Sequence, residues 1–209
     1  MKNGIIDVST TSVFAISFVF LLLAILVRKN NKSLSVILSI ATMFLLINFI
    51  VIRPFIYETY MIPSKSMEKT ILEGDLVGCK KVFYNPKDGD VVIFKLQSGD
   101  NKKVSTVDLL LGRDDNKEVL IKRIIAKEND NVNIINGHVY RNNERLNEPY
   151  VSNIVQDNYS FIVPKNSYFV MGDNRANSED SRDFGFITKN EIVGKAEKIL
   201  FPINRIKKL

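Results

Sequence analysis

Hydropathy divides the chain into two unlike parts. Residues 13–27 form an apolar run without a charge, interrupted only by Ser17 and extended by Thr11 and Ser12. Residues 34–52 form a second run, broken only by small hydroxyl side chains and Asn48. A helix rises about 1.5 Å per residue, and about 17–25 residues cross a bilayer. Both runs therefore predict transmembrane helices, at about 11–27 and 34–52. Beyond Tyr57 the pattern changes to short segments rich in β-branched and aromatic residues, at 91–94, 119–121, 124–125, 132–135, 161–163 and 168–171. Turn signals separate them: Asp88-Gly89, Asn136-Gly137, Pro164-Lys165-Asn166 and Gly172-Asp173-Asn174. Asn136-Gly137 between two such segments is a strong two-residue hairpin signal. Residues 98–117 are mostly polar and read as a loop excursion. The expectation is a mainly β protein: two transmembrane α-helices, then an antiparallel β-sheet or partly closed barrel.

Charge orients these parts. Short basic loops stay on the cytoplasmic side. Arg28, Lys29 and Lys32 lie between the two runs, so the N-terminus and everything after Ile56 are expected on the opposite side. That gives a multi-pass anchor in the lipid bilayer of the cytoplasmic membrane at 1–56 and an extracytoplasmic domain at 57–209. A cleavable secretory signal is the competing reading of the first run. Such a signal carries its positive charge ahead of the apolar stretch and a small-residue cleavage site behind it. Here only Lys2 precedes, offset by Asp7, and the basic cluster follows.

The chain holds 209 residues with a formal net charge of +6. Five of the Lys/Arg and one Asp fall in residues 1–56, leaving 24 Lys/Arg against 22 Asp/Glu beyond them. That near balance argues against a nucleic-acid partner. Cys79 is the sole cysteine, so no intramolecular disulfide forms, and no Cys/His cluster offers a metal site. The fold must be held by its core, which about 150 residues are enough to build.

Candidate chemistry lies in three places. In Met61-Ile62-Pro63-Ser64-Lys65-Ser66-Met67, Ile62-Pro63 fixes an extended entry, and serines two apart on an extended chain project to one side. One hydroxyl can attack a carbonyl while the other, with the Ser66 N–H, holds the oxyanion; losing one such donor costs about 2.7–4 kcal/mol of transition-state stabilisation. An ordinary polar turn is the alternative. Lys122 sits in Leu120-Ile121-Lys122-Arg123-Ile124-Ile125. Leu120 and Ile124 share its strand face and can desolvate its amine, which lowers the pKa far enough for a base. Arg123 points to the opposite face, solvated or salt-bridged. A snorkelling edge-strand lysine is the alternative. The third place is 171–185, dense in turn and hydrogen-bonding residues. Ser178 can orient a neutral amine there, and Asp180 with Arg182 suits a structural ion pair. The interleaved Arg175 and Arg182 argue against a calcium loop.

In this order behind an apolar anchor, these elements resemble the type I signal peptidases, membrane-bound Ser/Lys endopeptidases that remove signal peptides from exported proteins. The likeness is carried by Arg53-Pro54-Phe55-Ile56-Tyr57-Glu58, by Ile62-Pro63-Ser64-Lys65-Ser66-Met67 with Gly74-Asp75, and by Gly89-Asp90-Val91-Val92-Ile93-Phe94. Ile121-Lys122-Arg123-Ile124, Gly172-Asp173-Asn174-Arg175 and Ser178-Glu179-Asp180-Ser181-Arg182 complete it. The resemblance implies Ser66 as nucleophile, Lys122 as general base, and Ser64 with Ser66 N–H as the oxyanion hole. It implies Ser178 as the holder of the lysine amine, and an Asp180–Arg182 pair. Ile62 and Ile121 would line shallow pockets for small side chains of an extended substrate added as a strand beside 61–64 and 119–121. It further implies a β-rich catalytic core with a smaller inserted β region at about 131–164, signal-peptide-bearing preproteins as partners, and no metal or organic cofactor.

The chain departs from that pattern at Lys65 between the serines, at Lys69 in place of the usual proline, and at 126–130, which lacks the usual Gly-x-Pro-Gly-Asp turn. None of these touches the implied nucleophile, base or oxyanion donor. His138, the sole histidine, follows the Asn136-Gly137 turn and reads as a surface residue. Two rivals share the sequence: a processing peptidase dedicated to one exported partner, and a catalytically silent membrane-anchored module that binds exported chains.

Overall fold

The computed structural model describes residues 6–7, 10–47, 56–82, 84–97 and 117–209. The expected loop excursion at 98–117 lies, apart from Lys117, outside these residues, as does 48–55. A two-residue strand, β1 (Ile6–Asp7), comes first. Helix α1 (Thr10–Val27) and helix α2 (Lys32–Ile47) follow as a hairpin. The backbone of Asn30 and Asn31 closes on Val27 O at 3.0 and 2.8 Å. Asn31 Oδ1 accepts from Leu34 N at 3.0 Å, an N-cap that starts α2. Ser35 Oγ donates to Ala24 O at 2.8 Å; both residues are small and buried, so the two backbones approach closely. The outer faces are apolar, with Phe18, Ile25, Leu26, Ile37, Ile40 and Met43 all exposed.

Among the described residues no helix is long and apolar enough to cross a membrane. This corrects the expectation of two transmembrane helices at 11–27 and 34–52. Helix α2 is described over 16 residues, to Ile47, a rise of about 24 Å against a hydrocarbon core of about 30 Å; residues 48–52 of the second run lie outside the described residues. Helix α1 has 18 residues and opens on Thr10, Thr11 and Ser12.

The rest of the chain is antiparallel sheet. Strands β2 (Tyr57–Met61), β3 (Leu76–Lys80), β4 (Val91–Gln97) and β5 (Lys117–Lys127) come first. Four strands then build a separate small sheet: β6 (Asn131–Ile135), β7 (His138–Arg141), β8 (Glu144–Arg145) and β9 (Tyr159–Ile162). The chain returns through β10 (Ser167–Met171), helix α3 (Ser181–Phe184), β11 (Ile187–Thr188), β12 (Ile192–Phe201) and β13 (Lys207–Lys208). The large sheet runs β1-β2-β3-β12-β4-β5-β10-β11 with β13 on β12; the small one runs β8-β7-β6-β9. Its end strands β1 and β11 have two residues each and do not pair with one another. A barrel needs its last strand bonded to its first, so of the expected antiparallel sheet or partly closed barrel the antiparallel sheet stands, and it is not a closed barrel. The β6–β7 turn at Asn136-Gly137 has φ of 49° and 76°, the two left-handed residues of a tight hairpin.

Three buried clusters brace the sheets. One contains Ile62, Met67, Ile71, Val91, Ile93 and Ile121. A second packs Ile125 and Phe169 of the large sheet against Val132, Ile134 and Val139 of the small one. The third, on the other face of β4 and β5, gathers Val92, Phe94, Ile124, Val170 and Ile187, with Leu120 against it. The middle of β5 is therefore buried on both faces.

Candidate active site

Met61 ends β2 and the chain turns sharply. Ile62 N donates to Asp75 O at 3.0 Å, and Gly74 N to Ile62 O at 2.7 Å, which locks the segment leading to the serines. Past them Glu68 N donates to Lys65 O, Thr70 N to Met67 O and Ile71 N to Met67 O, at 3.0, 3.1 and 2.8 Å. Met67 and Ile71 are wholly buried and pin this turn to the core. Ser66 is buried, Ser64 half-buried and Lys65 exposed. The hydroxyls of Ser64 and Ser66 lie 3.3 Å apart, on one side of the chain, as the i, i+2 spacing predicts.

Lys122 occupies the centre of β5, opposite Val92 of β4. Leu120, Ile124 and Val92 belong to one apolar cluster, and the lysine is 3 % exposed. Burial is the chief reason that its pKa falls from 10.5 to about 8; Asp180, Glu179 and Glu118 pull it up and Arg182 pushes it down, all more weakly. A charged amine is disfavoured in such surroundings because its hydration is lost.

Strand β10 brings the third segment alongside. Its last paired residue, Met171, faces Arg123, so Gly172 and Lys122 come next along the two antiparallel strands and share a face. A Cβ on Gly172 would lie 2.2 Å from Ser178 Oγ and 2.6 Å from Ser66 O. Glycine thus leaves the gap in which the Ser178 hydroxyl and the backbone of Ser66 meet. Ser178 Oγ is buried with no partner at full hydrogen-bonding geometry, and it is near enough to the Asp180 carboxylate to help hold that group ionised. A buried hydroxyl without such a partner is costly unless something supplies it.

Asp180 sets the loop. Its carboxylate accepts from Arg182 Nε at 2.8 Å and Nη2 at 2.9 Å and from Gly172 N at 3.0 Å, and it caps α3. Burial alone would raise its pKa, but the hydrogen bonds and charge of Arg182 outweigh that and hold it below the ordinary 3.8. Asp180 and Arg182 therefore pair as a fixed ion pair that anchors Gly172.

Residues 33–201 match the family described as signal peptidase, peptidase S26. The chain belongs to that family. Signal peptidase I P of Bacillus subtilis subsp. natto is 34 % identical over 174 residues, covering 76 % of this chain and 84 % of the relative. Probable signal peptidase I-1 of a Synechocystis strain is 36 % identical over 160 residues, covering 75 % and 77 %. A crystal structure of a signal peptidase I from Enterococcus faecalis overlaps 54 % of this chain and 97 % of its own length, at 25 % identity and a TM-score of 0.41. Membership makes the chain a peptidase, a hydrolase of the amide bond.

In this family member a second set of residues ties the site together; of their roles the sequence offers only that of Arg123, solvated or salt-bridged on the opposite face. Arg123 forms a two-pronged pair with Asp173, Nε to Oδ1 at 2.8 Å and Nη2 to Oδ2 at 2.7 Å, and its guanidinium lies 4.0 Å from the centre of the Tyr150 ring. Asp173 also accepts from Thr70 Oγ1. Asn174 N donates to Ser66 O at 3.0 Å, and Asn174 Nδ2 to Lys65 O at 3.1 Å. The strand alternation around Lys122 signals that Arg123 faces elsewhere; nothing local signals a partner 50 residues away.

Ile62 and Ile121 are 0 % and 2 % exposed and pack together in the first core cluster. His138 sits on the small sheet, 3.0 Å from the Arg145 guanidinium. Among the described residues no group of His, Cys, Asp and Glu is arranged to hold a metal.

Proposed function

We propose that this peptidase is a membrane-tethered Ser/Lys endopeptidase that removes N-terminal signal peptides from exported proteins. One observation carries the reading: a lysine amine on an apolar strand face, its pKa lowered to about 8, beside the gap at Gly172 where Ser178 Oγ and Ser66 O converge. Ser66 Oγ attacks the scissile carbonyl and passes its proton to neutral Lys122 Nζ. Ser64 Oγ and Ser66 N hold the oxyanion. The tetrahedral species collapses, the amide C–N bond breaks, and Lys122 returns its proton to the leaving amine. The acyl-enzyme is then hydrolysed by water that Lys122 deprotonates, and Ser66 recovers its proton. Ser178 orients the amine, and Asp180 with Arg182 holds Ser178 and Gly172 in place.

The substrate adds as a strand. Strand β10 pairs with β5 only at residues 123–127, whereas β4 covers 117–123 from the other side. Beside 119–121 no strand among the described residues pairs with the edge of β5 away from β4, and an extended peptide takes that edge, with Met61–Ser64 as the facing wall. Ile62 and Ile121 form the floor against which small side chains fit.

The helical hairpin is the tether, immersed in lipid through its exposed apolar faces, with the catalytic sheet on the extracytoplasmic side. Strand β1 pairs with β2 through Ile6–Met61 and Asp7–Tyr60. The hairpin thus leaves and rejoins one sheet edge, which suits a domain and an N-terminus on the same side of the membrane.

Incubation of the full chain with a signal-bearing precursor tests the reading. The wild type releases the mature protein, and Ser66→Ala and Lys122→Ala, though folded, do not. Undiminished cleavage by either variant excludes the dyad, and binding without cleavage by the wild type marks a silent module instead.

A further inference from the structure

The loop between β8 and β9 lies wedged between the two segments that carry the site. On one side Ser152 Oγ donates to Glu68 O at 3.2 Å. On the other, Ser152 N donates to Asp173 O at 2.8 Å and Arg175 N to Ser152 O at 3.1 Å. Asn153 Nδ2 adds a bond to Asn174 Oδ1 at 3.0 Å. Asn174 is also the residue whose N–H holds Ser66 O.

Lys69 fastens this loop to the serine turn. The bond from Thr70 N to Met67 O at 3.1 Å closes a four-residue turn, and Lys69 is its third residue with φ of 89°. That is the left-handed position of a type II turn, where glycine or asparagine is at home and a long side chain is not. Proline, locked near about −65°, is excluded there. The conformation aims the lysine across the gap: its ammonium donates to Pro149 O at 2.6 Å and to Val151 O at 3.1 Å. An ammonium has three donors and no acceptor, so two converging carbonyls suit it and an apolar side chain replaces neither bond.

We propose that Lys69 is a positioning residue for this reaction. By clamping residues 149–153 onto the serine turn it keeps Ser66 in register with the Gly172–Asn174 segment and hence with Lys122. The inference rests on Ser66 being the nucleophile.

Two readouts on the full chain in detergent test it, one of them independent of catalysis. Amide exchange is followed at 65–71, 149–153 and, as a folding control, along β5. Turnover of a signal-bearing precursor gives kcat and KM. Lys69→Met removes the ammonium but keeps the stem; Lys69→Gly removes it and relieves the backbone. Both are expected to raise exchange at 65–71 and 149–153 with β5 unchanged, and to lower kcat by about 10-fold with KM within about twofold, a misplacement effect. Lys69→Arg, which can still reach the carbonyls, restores most of both. Unchanged exchange in Lys69→Met and Lys69→Gly overturns the clamp. Raised exchange with wild-type kcat overturns its positioning role. A wild type that cleaves nothing removes the Ser66 reading and this role with it, while the exchange data still decide whether the clamp exists.

Discussion

Lys122 is where stability and chemistry pull in opposite directions. Its pKa is lowered from 10.5 to about 8 by burial, so in the unfolded chain the amine binds a proton that the folded chain resists. Below pH of about 8 the folded state carries the full penalty, on the order of 3 kcal/mol at about 1.4 kcal/mol per unit. The penalty fades as pH rises from about 8 to 10.5. Lys122→Met is therefore expected to raise the denaturant midpoint at neutral pH while abolishing turnover, with the gain disappearing above pH 10.5. A variant less stable than the wild type at neutral pH contradicts that sign. Gly172 is constrained from a different direction. Its missing Cβ would meet Ser178 Oγ at 2.2 Å and Ser66 O at 2.6 Å, so Gly172→Ala must displace one of these serines or its own strand end. We expect a fall in kcat of about 10²-fold; a rate near that of the wild type means that the gap is wider than it looks. The dryness of Lys122 is legible in the sequence, because Leu120 and Ile124 two residues to either side must share its face. The glycine's service is not, because what fills its gap arrives from positions 66 and 178.

Strand β5 is the element on which the site is strung. In its middle Ile121 enters one cluster and Leu120 with Ile124 another, so Ile121 and Lys122 look in opposite directions and Arg123 can pair with Asp173 while Lys122 stays dry. The β-branched runs at 119–121 and 124–125 predict two short strands, and they prove to be one of 11 residues, because the lysine and arginine between them are buried rather than looped out. The longer miss is β12, whose ten residues Ile-Val-Gly-Lys-Ala-Glu-Lys-Ile-Leu-Phe give neither a clean alternation nor a continuous apolar run. Two register shifts against β3 break its period. At this scale the Arg123–Asp173 pair is the rivet between β5, the serine turn and the 172–175 segment. Asp173 is wholly buried, and Asp173→Ala leaves a buried guanidinium without its counter-ion, a loss of about 3–5 kcal/mol. Urea unfolding checks it; a loss below about 1 kcal/mol assigns the pair no structural role.

For the whole molecule the account joins an apolar hairpin to an open antiparallel sheet. The apolar runs in the sequence mark the hairpin, but its turn is set by caps that hydropathy does not report, such as Asn31 at the start of α2. The open sheet is illegible for a related reason: closure depends on whether the outermost strands meet, and β11 is too short to show in any pattern. A tether in lipid confines enzyme and precursor to one surface and raises their effective concentration. In vesicles, the full chain is therefore expected to process a lipid-anchored precursor on the order of 10²-fold more efficiently than a soluble peptide spanning the same cleavage site. Equal efficiencies separate the hairpin from catalysis. The central claim, that a neutral Lys122 takes the proton of Ser66, is tested most directly by the pH dependence of kcat/KM for precursor cleavage across the neutral to alkaline range. The account predicts a tenfold rise per unit that levels off near the about 8 of Lys122. A profile that is flat there, or that keeps climbing to the 10.5 of an exposed lysine, contradicts it.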